Sequence, residues 1–172
     1  NTTLTVVLYE FGTNPKSTRP TSSFQLYVYS SDDYLINYIN SSLIISNFLP
    51  IPLSFLSITL SNYTNSINAV YSFYIQQLVA WDNSSYIDIN LPPTITPSNN
   101  SPICTDLIAA ANLSCTVTNS TSIKVTVPNS LSILSLSISS LKNSPSFRTS
   151  SYFSVSTYTS DGYMYATDSS VN

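Results

Sequence analysis

The chain has 172 residues, of which 42% are apolar and only 8% charged, with a net charge of −3 at neutral pH. That length allows one well-packed domain plus a fragment, or two small ones, and the wealth of aromatic and β-branched residues excludes disorder for the chain as a whole. The five basic residues, Lys16, Arg19, Lys124, Lys142 and Arg148, are scattered and make no basic footprint for a phosphate backbone, so nucleic acid is excluded as a partner.

The chain begins at Asn1 with neither a starter Met nor a signal-like run, and so reads as a processed or excised piece of something longer. Leu4, Val6 and Leu8 alternate with Thr5 and Val7, the period-two pattern of a half-buried strand. After a Pro/Ser/Thr loop, Phe24, Leu26 and Val28 repeat that pattern. Residues 43–60 are interrupted by Pro50, Pro52 and several Ser and Asn, and fall short of the about 20 apolar residues that span a membrane. They read as a linker over 47–52 entering a strand over 53–60. Further strands are predicted at 69–79 and 85–91, a Pro/Asn loop at 92–102, and one helical turn at 106–111. Cys115 then opens a strand through Thr116, Val117 and Thr118, and residues 123–127 make a short one.

The two ends of the chain match. Arg19, Ser22, Phe24, Tyr29, Ser31, Asp32, Tyr34 and Ser41 correspond at one constant offset to Arg148, Ser151, Phe153, Tyr158, Ser160, Asp161, Tyr163 and Ser170. Upstream, one inserted residue near Lys16 brings Leu4, Val6, Leu8, Phe11 and Pro15 onto Leu134, Leu136, Ile138, Leu141 and Pro145. The repeat is about 130 residues long, inside the usual range for one domain. Two registers are open: a complete module at 1–129 followed by the start of another, or the tail of one at 1–42 followed by a complete module at 43–172. The Pro-rich break at 47–52 favours the second. The expected fold is all-β, with about seven strands per module arranged as an immunoglobulin-like β-sandwich.

Cys104 and Cys115 are the only cysteines. Without histidine to complete a zinc site they predict a disulfide, and hence an oxidising compartment, although they lie too close together to be the usual inter-sheet bridge of that architecture. Asn-X-Ser/Thr acceptors for N-linked glycans stand at Asn1, Asn40, Asn62, Asn83, Asn99, Asn112 and Asn119. Such triplets arise often by chance in so Ser-, Thr- and Asn-rich a chain. The composition itself carries more weight, because a charge-poor β surface gains solubility from glycans. Localisation is therefore expected to be extracellular or at the cell surface.

The absence of histidine also removes the commonest general base and the Ser-His and Cys-His pairs. The carboxylates are Glu10, Asp32, Asp33, Asp82, Asp88, Asp106, Asp161 and Asp168. Two of them could flank a glycosidic bond, but Asp32 and Asp161 occupy matching turns, where Asp serves local backbone hydrogen bonds. Two glycines exclude phosphate-cradling loops. Calcium at Asp32 and Asp33 would need several more oxygen ligands, so a solvated turn is expected there. The reading is no enzyme, no cofactor and no metal. Exposed Tyr27 and Tyr29 leave carbohydrate stacking as a second possibility, an adhesive or sugar-binding module.

At Asn14-Pro15-Lys16-Ser17-Thr18-Arg19-Pro20-Thr21-Ser22-Ser23-Phe24, followed by Tyr29-Ser30-Ser31-Asp32, the sequence resembles the tandem β-sandwich repeats of very large protist surface glycoproteins, ciliate ones especially. Asn143-Ser144-Pro145-Ser146 and Thr157-Tyr158-Thr159-Ser160-Asp161-Gly162-Tyr163 keep the same outline more loosely. The resemblance implies a surface or fibre role and no chemistry. The partners expected are adjacent repeats or copies of the chain itself, with covalent glycans. Two strands cannot bury their apolar faces alone, so Leu4, Val6, Leu8, Phe24, Leu26 and Val28 are expected to join the sheet of another module, head to tail, in a filament or coat.

Overall fold

The computed structural model describes residues 13–128, 131–146 and 152–171. Asn1, Leu4, Val6, Leu8, Glu10 and Arg148 lie outside them, as does the side chain of Asn40. The described chain is all-β. Its strands are β1 (Phe24–Tyr29), β2 (Leu35–Leu43), β3 (Ile51–Pro52), β4 (Phe55–Leu60), β5 (Asn68–Gln76), β6 (Ser85–Asn90), β7 (Thr96–Pro97), β8 (Cys104–Asp106), β9 (Ala111–Leu113), β10 (Cys115–Asn119), β11 (Ser122–Val127), β12 (Ile133–Lys142), β13 (Phe153–Tyr158) and β14 (Met164–Val171).

Two sheets pack face to face in a sandwich-like body. One runs β10-β11-β6-β13-β14-β3, the other β4-β5-β12-β8-β9 with β7 also beside β12. Period-two alternation decides what goes inside. Tyr71, Phe73 and Ile75 of β5 and Leu134, Leu136 and Ile138 of β12 are buried from one side, and Ile87, Ile89, Ile123, Val125 and Val155 from the other. Phe153 joins the layers, its ring centroid 5.9 Å from that of Tyr71 and 5.7 Å from that of Phe73. β1 and β2 form a separate two-stranded sheet.

The second half of β12 needs a bulge. Its register with β5 shifts between Ile138 and Leu141, and Ser140 there takes φ 62°. Before the bulge β12 pairs with β8, after it with β7. An extra residue re-aims the strand in this way, and Leu141 stays buried.

Three local expectations are corrected. Residues 106–111 form no helical turn: the Asp106 carboxylate accepts from the backbone N–H of Ile108 at 2.9 Å and of Ala109 at 3.3 Å, and Ala110 at φ 51° sends the chain back as β9, with Ala111 opposite Asp106. The linker over 47–52 is not wholly linker, since Ile51 and Pro52 pair in parallel with Ala166 and Thr167. A proline is tolerated at such a sheet edge. The 92–102 loop likewise contains β7. Two-residue strands are too short to print an alternation.

Candidate functional site

The strongest functional feature is a hairpin present twice. In β1–β2, Leu26 faces Ile39, Tyr27 faces Tyr38, Val28 faces Asn37 and Tyr29 faces Leu35. In β13–β14, Val155 faces Asp168, Ser156 faces Thr167, Thr157 faces Ala166 and Tyr158 faces Met164. The register shifts also fall at corresponding places. The surroundings differ. β13 lies against β6 and β14 against β3, whereas no third strand borders β1 or β2 among the described residues. Val155 and Thr157 are 0% exposed, and their counterparts Leu26 and Val28 are 50% and 39% exposed. Phe24, Leu26 and Val28 therefore share one face of β1 that reaches solvent.

Tyrosines line the opposite face. The Tyr27 ring lies 6.3 Å from Tyr38, nearly parallel, and 6.4 Å from Tyr29. The Tyr27 hydroxyl donates to Gln25. In the sandwich, Tyr158 stacks on Tyr86 at 4.9 Å, and the Lys124 ammonium sits 3.5 Å from the Tyr86 ring centroid. Partial burial pushes the neighbouring Asp88 carboxyl above its usual range, opposed by Lys124.

The segment before the first hairpin clasps the turn of the second. The Thr18 N–H donates to the Met164 carbonyl at 2.8 Å, and the Thr18 hydroxyl accepts from the Met164 N–H at 3.0 Å. Arg19 forms an ion pair with Asp161 and lies 5.3 Å from the Tyr163 ring centroid. The Arg19 hydrogen bond, followed by that of Thr159, holds the Asp161 carboxyl below its usual range. Sequence comparison matched Arg19 and Asp161 to Arg148 and Asp32 without indicating that Arg19 would meet Asp161, because the contact crosses from one copy of the repeat to the other.

Cys104 and Cys115 are disulfide-bonded. The bond links β8 in one sheet to β10 in the other, so it is an inter-sheet bridge after all, made possible by the short return through β9. Replacing both cysteines by alanine is expected to lower the unfolding free energy by about 2–3 kcal/mol through loop-closure entropy. Equilibrium urea unfolding of oxidised and variant protein measures this.

The five acceptor asparagines whose side chains are described, Asn62, Asn83, Asn99, Asn112 and Asn119, are all exposed. At Asn62, Asn99 and Asn119 the side-chain carbonyl accepts from the N–H two residues on, at 2.8, 3.2 and 2.9 Å. Such Asx turns hold the side chain by its oxygen. The loop carrying Asn62 is pinned from below by Asn143, which donates to the carbonyls of Asn62 and Thr64 at 2.9 and 2.8 Å and accepts from the Tyr71 hydroxyl at 2.7 Å. Burial pushes that phenol up to about 12. Nothing in the pattern around Asn143 announced this role, which depends on three segments distant in sequence.

The carboxylates of the described residues are dispersed. Asp82 accepts from the Tyr165 hydroxyl at 2.7 Å, Asp106 closes its turn, and Asp32 and Asp33 lie in the turn of the first hairpin. Among the described residues no three of His, Cys, Asp or Glu come together as a metal site, and no helix is long and apolar enough to cross a membrane. The chain matches no family model, no curated protein and no solved structure.

Proposed function

We propose that this chain is a structural segment of an extracellular, glycosylated filament or cell-surface coat, built from immunoglobulin-like sandwich repeats joined head to tail through β-strand contacts, and that it is not an enzyme. The boundary falls near residue 43: the first hairpin belongs to another repeat, and residues 43–172 make one complete repeat. The observation that carries this reading is the shared register of β1–β2 and β13–β14, the first with Leu26 and Val28 half-exposed and the second flanked by β6 and β3 with Val155 and Thr157 buried. A hairpin with that face needs a sheet to join. A head-to-tail contact whose rotation does not close into a ring grows a filament.

The disulfide suits an oxidising compartment, and the exposed acceptors suit glycans that solubilise a surface poor in charge. Electron microscopy of native material should show filaments or an ordered layer. Glycopeptide mass spectrometry of the same material should find several of Asn62, Asn83, Asn99, Asn112 and Asn119 modified. Dispersed single particles with unmodified asparagines would sink the reading. The near-parallel pair Tyr27 and Tyr38 supports an adhesive, sugar-binding module as the second reading. A saturable glycan-array signal lost on Tyr27→Ala would favour it.

A further inference from the structure

We infer that the turn of the first hairpin, Ser30 to Leu35, is a docking site for the Ser-Thr-Arg-Pro arm of a further repeat, so that the contact made by Arg19 and Asp161 recurs at every joint. The inference rests on the head-to-tail reading for its purpose, but the site has its own physical basis. The turn of the second hairpin is already occupied by such an arm, Ser17 to Pro20, which contributes the backbone N–H and the hydroxyl of Thr18 to Met164 and a guanidinium to Asp161.

The first turn reproduces the backbone frame of that receptor, without the bond that the Thr159 hydroxyl donates to Asp161 at 2.6 Å. The Ser30 N–H donates to the Tyr34 carbonyl at 2.8 Å and the Asp33 N–H to the Ser30 carbonyl at 3.1 Å, as the Thr159 N–H does to Tyr163 at 2.8 Å and the Gly162 N–H to Thr159 at 3.0 Å. The hydroxyl of Ser30 accepts from the Tyr34 N–H at 3.1 Å, as that of Thr159 does from Tyr163 at 2.9 Å. The residue after the aspartate is left-handed in both turns, Asp33 at φ 62° and Gly162 at φ 91°. Asp32 thus stands where Asp161 stands, Tyr34 where Tyr163 receives the guanidinium, and Leu35 where Met164 pairs with Thr18.

What differs, among the described residues, is occupancy. Tyr34 is 75% exposed, and Asp32 has no ion pair among the described residues. Charge complementarity favours this occupant further, since Asp33 adds a second carboxylate to the turn and Lys16 a second cation to the arm. A bidentate-capable guanidinium that also lies over an aromatic ring suits such a turn better than an ammonium would. Because the arm of one repeat reaches the turn of the next, each repeat offers one arm and one turn, and the joint propagates along a single axis.

The test uses the full chain and a synthetic peptide of residues 13–21, titrated by NMR into isotopically labelled protein. Saturable shifts are expected at the amides of Ser30 to Leu35. Asp32→Asn in the protein, or Arg19→Ala in the peptide, should weaken binding about fivefold or more. No saturable shift, shifts confined to Thr159 to Met164, or shifts that Asp32→Asn leaves unchanged would each overturn the inference. The titration needs no assembly, so its failure beside intact filaments would remove the clasp alone, and its success without filaments would remove the filament reading alone.

Discussion

Phe153→Ala is expected to cost the chain about 3–5 kcal/mol, the range for truncating a buried phenylalanine. Small domains are stable by only about 5–15 kcal/mol, so much of the sandwich's stability would be lost. Phe153 is 4% exposed and contacts Tyr71 and Phe73 from the facing sheet, so the truncation opens a cavity between the two layers. The same substitution at the corresponding position of the first hairpin, Phe24→Ala, should cost less, because less apolar surface is withdrawn from water there. Phe24 is 38% exposed. Urea unfolding of the two variants side by side reads the difference. Equal losses would mean that the two hairpins are equally buried in solution.

Aspartates at Leu26 and Val28 should have the reverse profile. Both side chains reach solvent in the chain alone, so Leu26→Asp with Val28→Asp is expected to leave the melting temperature of the sandwich unchanged. In an assembly they would be buried carboxylates without partners, which costs about 3–5 kcal/mol. Association would fall about a hundredfold to a thousandfold or more. Incorporation of the variant into native assemblies, followed by microscopy and by hydrogen exchange at the β1 and β2 amides, is the measurement. Normal incorporation with protected amides would show that this face is not the joint.

If the first hairpin joins the sheet of another repeat, that sheet is expected to differ from this chain's own in one respect. Thr157 donates to the buried Gln77 side chain at 2.8 Å, and Val28 stands at the corresponding position without a hydroxyl. Seating Val28 opposite Gln77 would leave that buried acceptor short of a partner, at a cost of about 1–3 kcal/mol. The matching repeat is one with an apolar residue facing Val28, which disfavours simple exchange of the first hairpin for the second within this sandwich.

Much of this protein was legible in its sequence. The alternation of Phe153, Val155 and Thr157, and of Leu134, Leu136 and Ile138, places side chains on one face of a strand whatever the strand packs against, because the period of two is a property of the extended backbone. The repeat was equally legible, since two copies of one hairpin must share residues at turn and register positions, as Asp32 and Asp161 do. The all-β class and the cysteine pair followed from the same local reasoning. Pairing between distant segments was not legible. β3 and β7 are two residues each and exist only because β14 and β12 present edges to them. The disulfide crosses between sheets because β9 turns the chain back, which the cysteine spacing could not reveal. Asn143, Gln77 and the Arg19 to Asp161 contact satisfy polar groups brought together from far apart in the chain. Hydrophobic periodicity is written along one strand, but hydrogen-bond satisfaction is settled only when several strands meet, and that the tertiary structure alone decided.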